Sequence, residues 1–211
     1  MPTITTLLLF SLAVLGLLLS PGPNMVMVVS QGLSHGARGA VASAAGIFFA
    51  DVLMTALVCT GIAAAAAAWP ASFELLRWGG VAYLLWLAGK ALRQRDAAPT
   101  ASPTPGSAWQ ALRNACVVSL FNPKALLFFL MFLPQFADPR RGSISAQLLV
   151  LGLLLSTLAL VFHALLGLAA GRVAAVLRGR LPELRWLHRL QAGVLLGLAL
   201  RLLLLQRPLS A

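Results

Sequence analysis

A proline and a primary amine stand inside an apolar run: Phe121-Asn122-Pro123-Lys124 lies within the stretch from Ala115 to Ala137. At a helical rise of about 1.5 Å per residue that stretch reaches roughly 34 Å, enough to cross a hydrocarbon core of about 30 Å, and Lys124 falls roughly 14 Å from its start. A lysine near mid-membrane costs roughly 2.5 to 3.5 kcal/mol, so a carboxylate, a water-filled cavity or a bound anion must offset it. Pro123 has no N–H and its ring clashes with the preceding turn, so the helix is expected to break near Asn122 and to leave backbone groups free to line a cavity. A competing reading starts the span at Ala125 and lets Lys124 reach the interface along its own stem.

Composition places the whole chain in lipid. Of its 211 residues 60% are apolar and 10% charged, where soluble domains carry roughly 25% charged residues. The chain is therefore read as an all-α integral membrane protein whose surroundings are the lipid bilayer. A net charge of +11 could suggest nucleic acid, but the basic residues cluster in short segments between apolar runs. That is the pattern that orients membrane proteins, and it excludes nucleic acid as a partner. Cys59 and Cys116 both lie in apolar stretches, which argues against a disulfide framework or a thiolate metal site. No cofactor and no metal is expected.

In chain order, Leu7 to Leu19 resembles the core of a signal peptide but lacks a basic segment before it, and an apolar run resumes at Met25. One span interrupted by Pro21-Gly22-Pro23 is the expectation, since two prolines and a glycine stop the helical ladder and expose backbone groups at membrane depth. The alternative is that Pro21-Gly22-Pro23 is the exit turn of a shorter span. A second span runs from Ala40 to Trp69. Gly36, Ala40 and Ala44 step by four ahead of and into it, as do Gly39, Ser43 and Ile47, giving a smooth face for another helix. Asp51 interrupts this span near mid-membrane, with Thr55 one turn on. Such an acid is a functional candidate by default, its alternative being a structural tie between helices.

A third span, Phe73 to Gly89, ends in Lys90, Arg93 and Arg95, and a linker rich in Ala, Pro, Ser and Thr follows from Asp96. The Asn-Pro-Lys span leads to a turn at Asp138-Pro139-Arg140-Arg141-Gly142, then to a fifth span, Ile144 to Ala170, containing His163. A lone histidine there is more often packed than a proton relay. Arg172, Arg178, Arg180, Arg185 and Arg189 form a basic amphipathic stretch for the anionic leaflet, and Leu190 to Leu205 is the sixth span.

Six transmembrane helices in two halves of three predict inverted three-helix repeats, because an odd number of crossings per half reverses the second copy. The expected units are residues 1–95, a cytoplasmic linker over 96–112, and residues 113–211. Pro23 and Pro123 break the first helix of each half, and Gly80-Val81 matches Gly193-Val194 in the third. Paired broken helices point to a binding site near the midplane. Arg38, the basic residues of the central loop and those after span five outnumber the remaining loop cations two to one, which puts both termini in the periplasm.

These residues also carry a resemblance to the LysE/RhtB family of bacterial amino-acid exporters over nearly the whole chain. Pro21-Gly22-Pro23-Asn24, the glycine-rich entry and Gly46 before Asp51, and Gly80-Val81-Ala82-Tyr83-Leu84 match it. So does Phe121-Asn122-Pro123-Lys124-Ala125 with its close at Leu133-Pro134-Gln135-Phe136. Ala50 stands where many members have glycine. The resemblance implies export of a small amino acid or derivative through the inner membrane, driven by proton antiport, and leaves homo-oligomerisation open.

A zwitterion needs a cation or N–H groups for its carboxylate and an acid or carbonyls for its ammonium. Pro21, Gly22, Pro23, Asn24, Asn122, Pro123 and Lys124 are the candidate substrate-binding residues, and Asp51 the candidate proton carrier. Two rivals remain open. A thiol-disulfide electron carrier would use one cysteine per half, although Cys59 and Cys116 adjoin neither proline break. A divalent metal exporter would want more ligands within the spans than Asp51 and His163.

Overall fold

The computed structural model describes residues 1–61 and 107–177, together with Trp78, Ala82, Leu85, Gly89, Gly193, Leu196 and Leu200. The linker from Asp96, the basic cluster Lys90 to Arg95, the basic stretch from Arg178, and nearly all of the third and sixth expected spans lie outside the described residues. Among the described residues every regular element is helical.

Helix α1, Ile4–Leu19, begins where Thr3 accepts the Thr6 N–H on Oγ1 at 3.0 Å, satisfying one of the donors that a helix start leaves over. It stops at Ser20, ahead of the two prolines. Phe10, Val14 and Leu18 are buried along one stripe, whereas Leu8, Leu12 and Leu19 are exposed on the other. An apolar outer face of this kind suits lipid.

Helix α2, Pro23–Cys59, opens with proline at its first position, where the missing N–H costs nothing. It is one element only in name, because Gly36 has φ 61° and ψ −150°. On a straight helix Gln31 and Gly39 would be separated by roughly 12 Å, yet a Cβ added to Gly39 would lie 2.7 Å from the Gln31 carbonyl oxygen. The chain folds back at Gly36, so residues 23–35 and 37–59 form two arms. Only glycine takes that backbone conformation at low cost. Gly36 is therefore a corner as well as a point of close packing, where a Cβ on Gly171 would lie 3.3 Å from its Cα.

Helix α3, Ala108–Leu120, starts about two turns before the expected Ala115. Helix α4, Pro123–Leu127, follows the break, and the chain continues through a π-helical turn, Phe128–Phe132, and a 3-10 turn, Leu133–Phe136. Pro134 has no N–H for the Leu130 carbonyl, which is why the α pattern widens ahead of it. The axis bends by 55° between Ala108–Leu120 and Lys124–Phe136. The break falls at Phe121-Asn122 as the sequence predicts, with the Asn122 Oδ1 accepting the Lys124 N–H at 3.1 Å. A 3-10 turn, Pro139–Arg141, leads to α5, Ile144–Leu177, which runs on past the expected Ala170 and takes Arg172 into the helix.

Pro23–Cys59 and Ile144–Val176 are long and apolar enough to cross a membrane, and the bent pair makes a third candidate. They pack through glycines. A Cβ on Gly32 would sit 2.2 Å from the Gly167 carbonyl oxygen of α5, and one on Gly46 would sit 2.1 Å from the Leu112 carbonyl oxygen of α3. Backbones can approach so closely only without side chains between them. Between α1, the π turn and α5 lies a core of Phe10, Phe128, Phe129, Leu133, Leu151 and Leu155. The rings of Phe128 and Phe132 stack at 4.7 Å between centroids, and Phe136 meets Phe10 at 5.1 Å.

The bundle has two ends. At one, the Met1 nitrogen donates to the Arg141 carbonyl, and the Ser145 hydroxyl donates to the Cys59 carbonyl at 3.0 Å. There Gln147 holds the Asp138–Gly142 turn, donating from Nε2 to the Asp138 carbonyl at 2.9 Å and accepting the Asp138 N–H on Oε1 at 3.1 Å. Gly171 of α5 packs against the Gly36 corner at the other end.

Candidate functional site

The two helix breaks meet. Past Leu19 no further helical turn covers the Ser20 carbonyl, and the Lys124 Nζ, on the first turn of α4, donates to it. The lysine stem runs alongside Gly22, where an added Cβ would be 3.5 Å from the Lys124 Cδ and 3.7 Å from Nζ. The cation thus sits against the carbonyl end of α1, where the helix dipole favours positive charge.

Around it lies a recess of about 500 Å³, counting its open mouth, which Ser20, Gly22, Asn24, Asp51, Asn122, Lys124 and His163 line. Leu17, Met25, Phe128, Phe129 and Leu155 supply its apolar wall. A few convergent polar groups in a mostly apolar recess is the usual make-up of a small-molecule site.

Asp51 is 4% exposed and comes from the second arm of α2. Its Oδ1 accepts from the Ser119 hydroxyl of α3 at 3.3 Å, and the Ser119 Oγ accepts from the Asn24 Nδ2 of the first arm at 3.0 Å. Thr55, one turn on, donates to the Asp51 carbonyl at 2.8 Å, so it supports the backbone and does not touch the carboxylate. The His163 Nδ1 lies 2.8 Å from the Ala159 carbonyl oxygen. A carbonyl only accepts, so Nδ1 carries the hydrogen.

Of the residues singled out in the sequence, Gly22, Asn24, Asp51, Asn122 and Lys124 share one cavity. The prolines act through the backbone: Pro23 and Pro123 each take the first position of a helix, and Pro21 is exposed beside the break. Ser119 and Ser20 were not singled out. A serine in an apolar run carries no signal by itself, and a carbonyl carries none at all.

Cys116 and Cys59 are far apart. The Cys116 nitrogen lies 3.0 Å from where a Gly46 Cβ would be, and Cys59 ends the same helical arm roughly 20 Å further along. A disulfide needs Cα atoms within about 7 Å, so these two thiols cannot form one in this arrangement. Among the described residues no three His, Cys, Asp or Glu side chains cluster as a metal site.

A model of the LysE type translocator family matches residues 15–206. The chain belongs to the LysE type translocator family. It is 34% identical to a leucine efflux protein of Klebsiella pneumoniae, over 90% of this chain and 91% of that one. With a homoserine/homoserine lactone efflux protein of Salmonella typhimurium it shares 33% identity over 76% of this chain and 78% of the relative. An uncharacterized membrane protein of Pseudomonas aeruginosa is 32% identical over 93% and 92%. No solved structure matches the chain. As a LysE-type translocator it is a membrane protein of a transporter family, and the cavity at its two helix breaks lies wholly within the matched residues.

Proposed function

We propose that this translocator exports a small amino acid or amino-acid derivative from the cytoplasm across the bacterial inner membrane, in exchange for protons. The observation that carries the reading is the contact of the Lys124 ammonium with the Ser20 carbonyl across two helix breaks, in a cavity that Asp51 also lines. The relatives named as leucine and homoserine efflux proteins support the substrate class.

The chemistry follows from the parts. The substrate carboxylate takes Lys124 and the Asn24 and Met25 N–H groups, which the first turn of α2 leaves without helical acceptors. Its ammonium takes the Ser20 carbonyl and the Asn24 carboxamide oxygen. Pro21, Pro23 and Pro123 keep the breaks open, Gly22 admits the lysine stem, and Asn122 fixes the start of α4. Asp51 carries the proton, shuttling between ionised and neutral forms as the cavity faces one side and then the other.

The architecture proposed for this is six helices in two inverted repeats, residues 1–95 and 113–211, joined through 96–112. The facing breaks at Ser20-Pro21-Gly22 and Phe121-Asn122 support it, as does the placement of Arg38 and Arg172 beyond the Gly36 corner, opposite the end that holds Met1 and Arg141. With the positive-inside bias that puts the Gly36 end in the cytoplasm and both termini in the periplasm.

The test is to express the protein in cells loaded with dipeptides and to quantify every amino acid in the medium. Faster efflux of one amino-acid class, absent in cells carrying an empty vector, is the expected result. An unchanged medium with the protein present in the membrane contradicts the reading.

A further inference from the structure

The hydrogen bonds from Asn24 to Ser119 to Asp51 join the first arm of α2, the helix α3 and the second arm of α2, and with Asp51 ionised they run in one direction. A carboxylate only accepts, so the single Ser119 hydrogen goes to the Asp51 Oδ1 at 3.3 Å. The Ser119 Oγ must then accept from Asn24, which identifies the atom 3.0 Å away as Nδ2 and turns the Asn24 Oδ1 from it. That oxygen is buried and has no hydrogen-bond partner among the described residues. Leaving a buried acceptor unmade is costly, so Oδ1 is an acceptor waiting for a donor on a residue that lines the cavity.

We infer that Ser119 is a positioning residue that makes proton and substrate binding mutually exclusive by setting which face of the Asn24 amide meets the substrate ammonium. The inference rests on the proposed export function and deepens it. With Asp51 ionised, the chain presents the Asn24 Oδ1 as an acceptor. When Asp51 takes a proton, its O–H donates to the Ser119 Oγ, the Ser119 hydrogen swings to the Asn24 Oδ1, and the amide turns its N–H groups outward. No bond other than hydrogen bonds changes, and the added proton stays on Asp51. An ammonium facing N–H groups finds no acceptor there, so the protonated form releases substrate. An antiporter needs that exclusion, because a carrier binding both at once does not exchange them.

Other titratable groups lie around the same recess. Lys124 and His163 line it from α4 and α5, Cys116 lies one turn before Ser119 on α3 and in electrostatic range of Asp51, and α1 carries no titratable side chain. Among the residues described only Ser119 bridges Asp51 to Asn24.

The experiment uses the full chain in liposomes and labelled leucine counterflow, with the same pH on both sides. For the wild type the leucine KM rises on acidification, approaching about tenfold per pH unit when one proton competes. Ser119→Ala breaks the bridge, and its leucine KM loses that pH dependence while counterflow continues. Ser119→Thr, which keeps the hydroxyl, restores it. If Ser119→Ala does not insert, Asn24→Ala decides: it raises the KM and flattens its pH dependence. Wild-type counterflow together with full pH dependence in Ser119→Ala, or in Asn24→Ala where the first variant fails to insert, overturns this inference alone. A wild type that shows counterflow of no amino acid overturns it together with the function it rests on; where an amino acid other than leucine exchanges, the same KM series is read with that one.

Discussion

The Lys124 ammonium donates to the main-chain carbonyl of Ser20, a residue 104 positions earlier in the chain. One contact joins the broken ends of two helices. The carbonyl end of α1 and the few polar groups of the recess surround the ammonium, the kind of partners that a charge inside a span requires.

Removing that charge tests its use. Lys124→Met should insert normally, since an apolar side chain lowers the cost of the span, while amino-acid efflux from loaded cells falls by about tenfold or more. Lys124→Arg should rescue poorly, because the stem is packed beside Gly22 and a planar fork does not replace a compact ammonium. Efflux and membrane abundance are measured on the same cells, and normal efflux by Lys124→Met removes the lysine from the mechanism.

Close backbone packing gives a stability prediction. In Gly32→Ala the new methyl meets the Gly167 carbonyl oxygen at 2.2 Å, so α2 and α5 must separate, at a cost on the order of 1 to 3 kcal/mol. A Cβ at Gly16 meets nothing within 4 Å, and Gly16→Ala should hold or raise stability through helix propensity. Thermal unfolding of the detergent-purified variants separates them, the first melting below the wild type and the second not.

How much of this was legible in the sequence depended on whether the deciding physics is local. The breaks at Pro21-Gly22-Pro23 and Asn122-Pro123 were, because a proline removes a donor whatever surrounds it. The corner at Gly36 was not. Small residues spaced by four read alike whether a helix continues or folds back, and the φ of a glycine leaves no mark on the pattern. The early start of α3 at Ala108 was hidden by Gln110 and Arg113, which are polar enough to read as loop. Ser119 gained meaning only when helix packing set it between Asn24 and Asp51.

The thiols are expected to be dispensable. Cys59 gives only a long contact from Sγ to the Ser145 carbonyl, at 3.5 Å, which a serine hydroxyl can replace. Cys59→Ser with Cys116→Ser should leave efflux within about twofold of the wild type. Loss of efflux at normal abundance would revive a redox role.

Orientation can be read on that cysteine-free background. Arg141→Cys, at the end that holds Met1, should react with a membrane-impermeant maleimide applied to intact cells. Arg38→Cys, just past the Gly36 corner, should react only after the cells are opened. The reverse labelling pattern inverts the proposed topology.

Flux driven by a pH gradient is the most direct measurement of proton-coupled export through this cavity. Wild type and Asp51→Asn are reconstituted at equal inserted amounts, and movement of the amino acid that the efflux assay identifies is followed with and without an imposed pH gradient. Asparagine keeps the size of Asp51 and can still meet the Ser119 hydroxyl, but it cannot exchange a proton. Asp51→Asn should therefore lose gradient-driven accumulation while that amino acid still runs down its own gradient. Full pH-driven accumulation by Asp51→Asn would contradict proton coupling at Asp51, and loss of both fluxes together would make the acid a structural tie between helices.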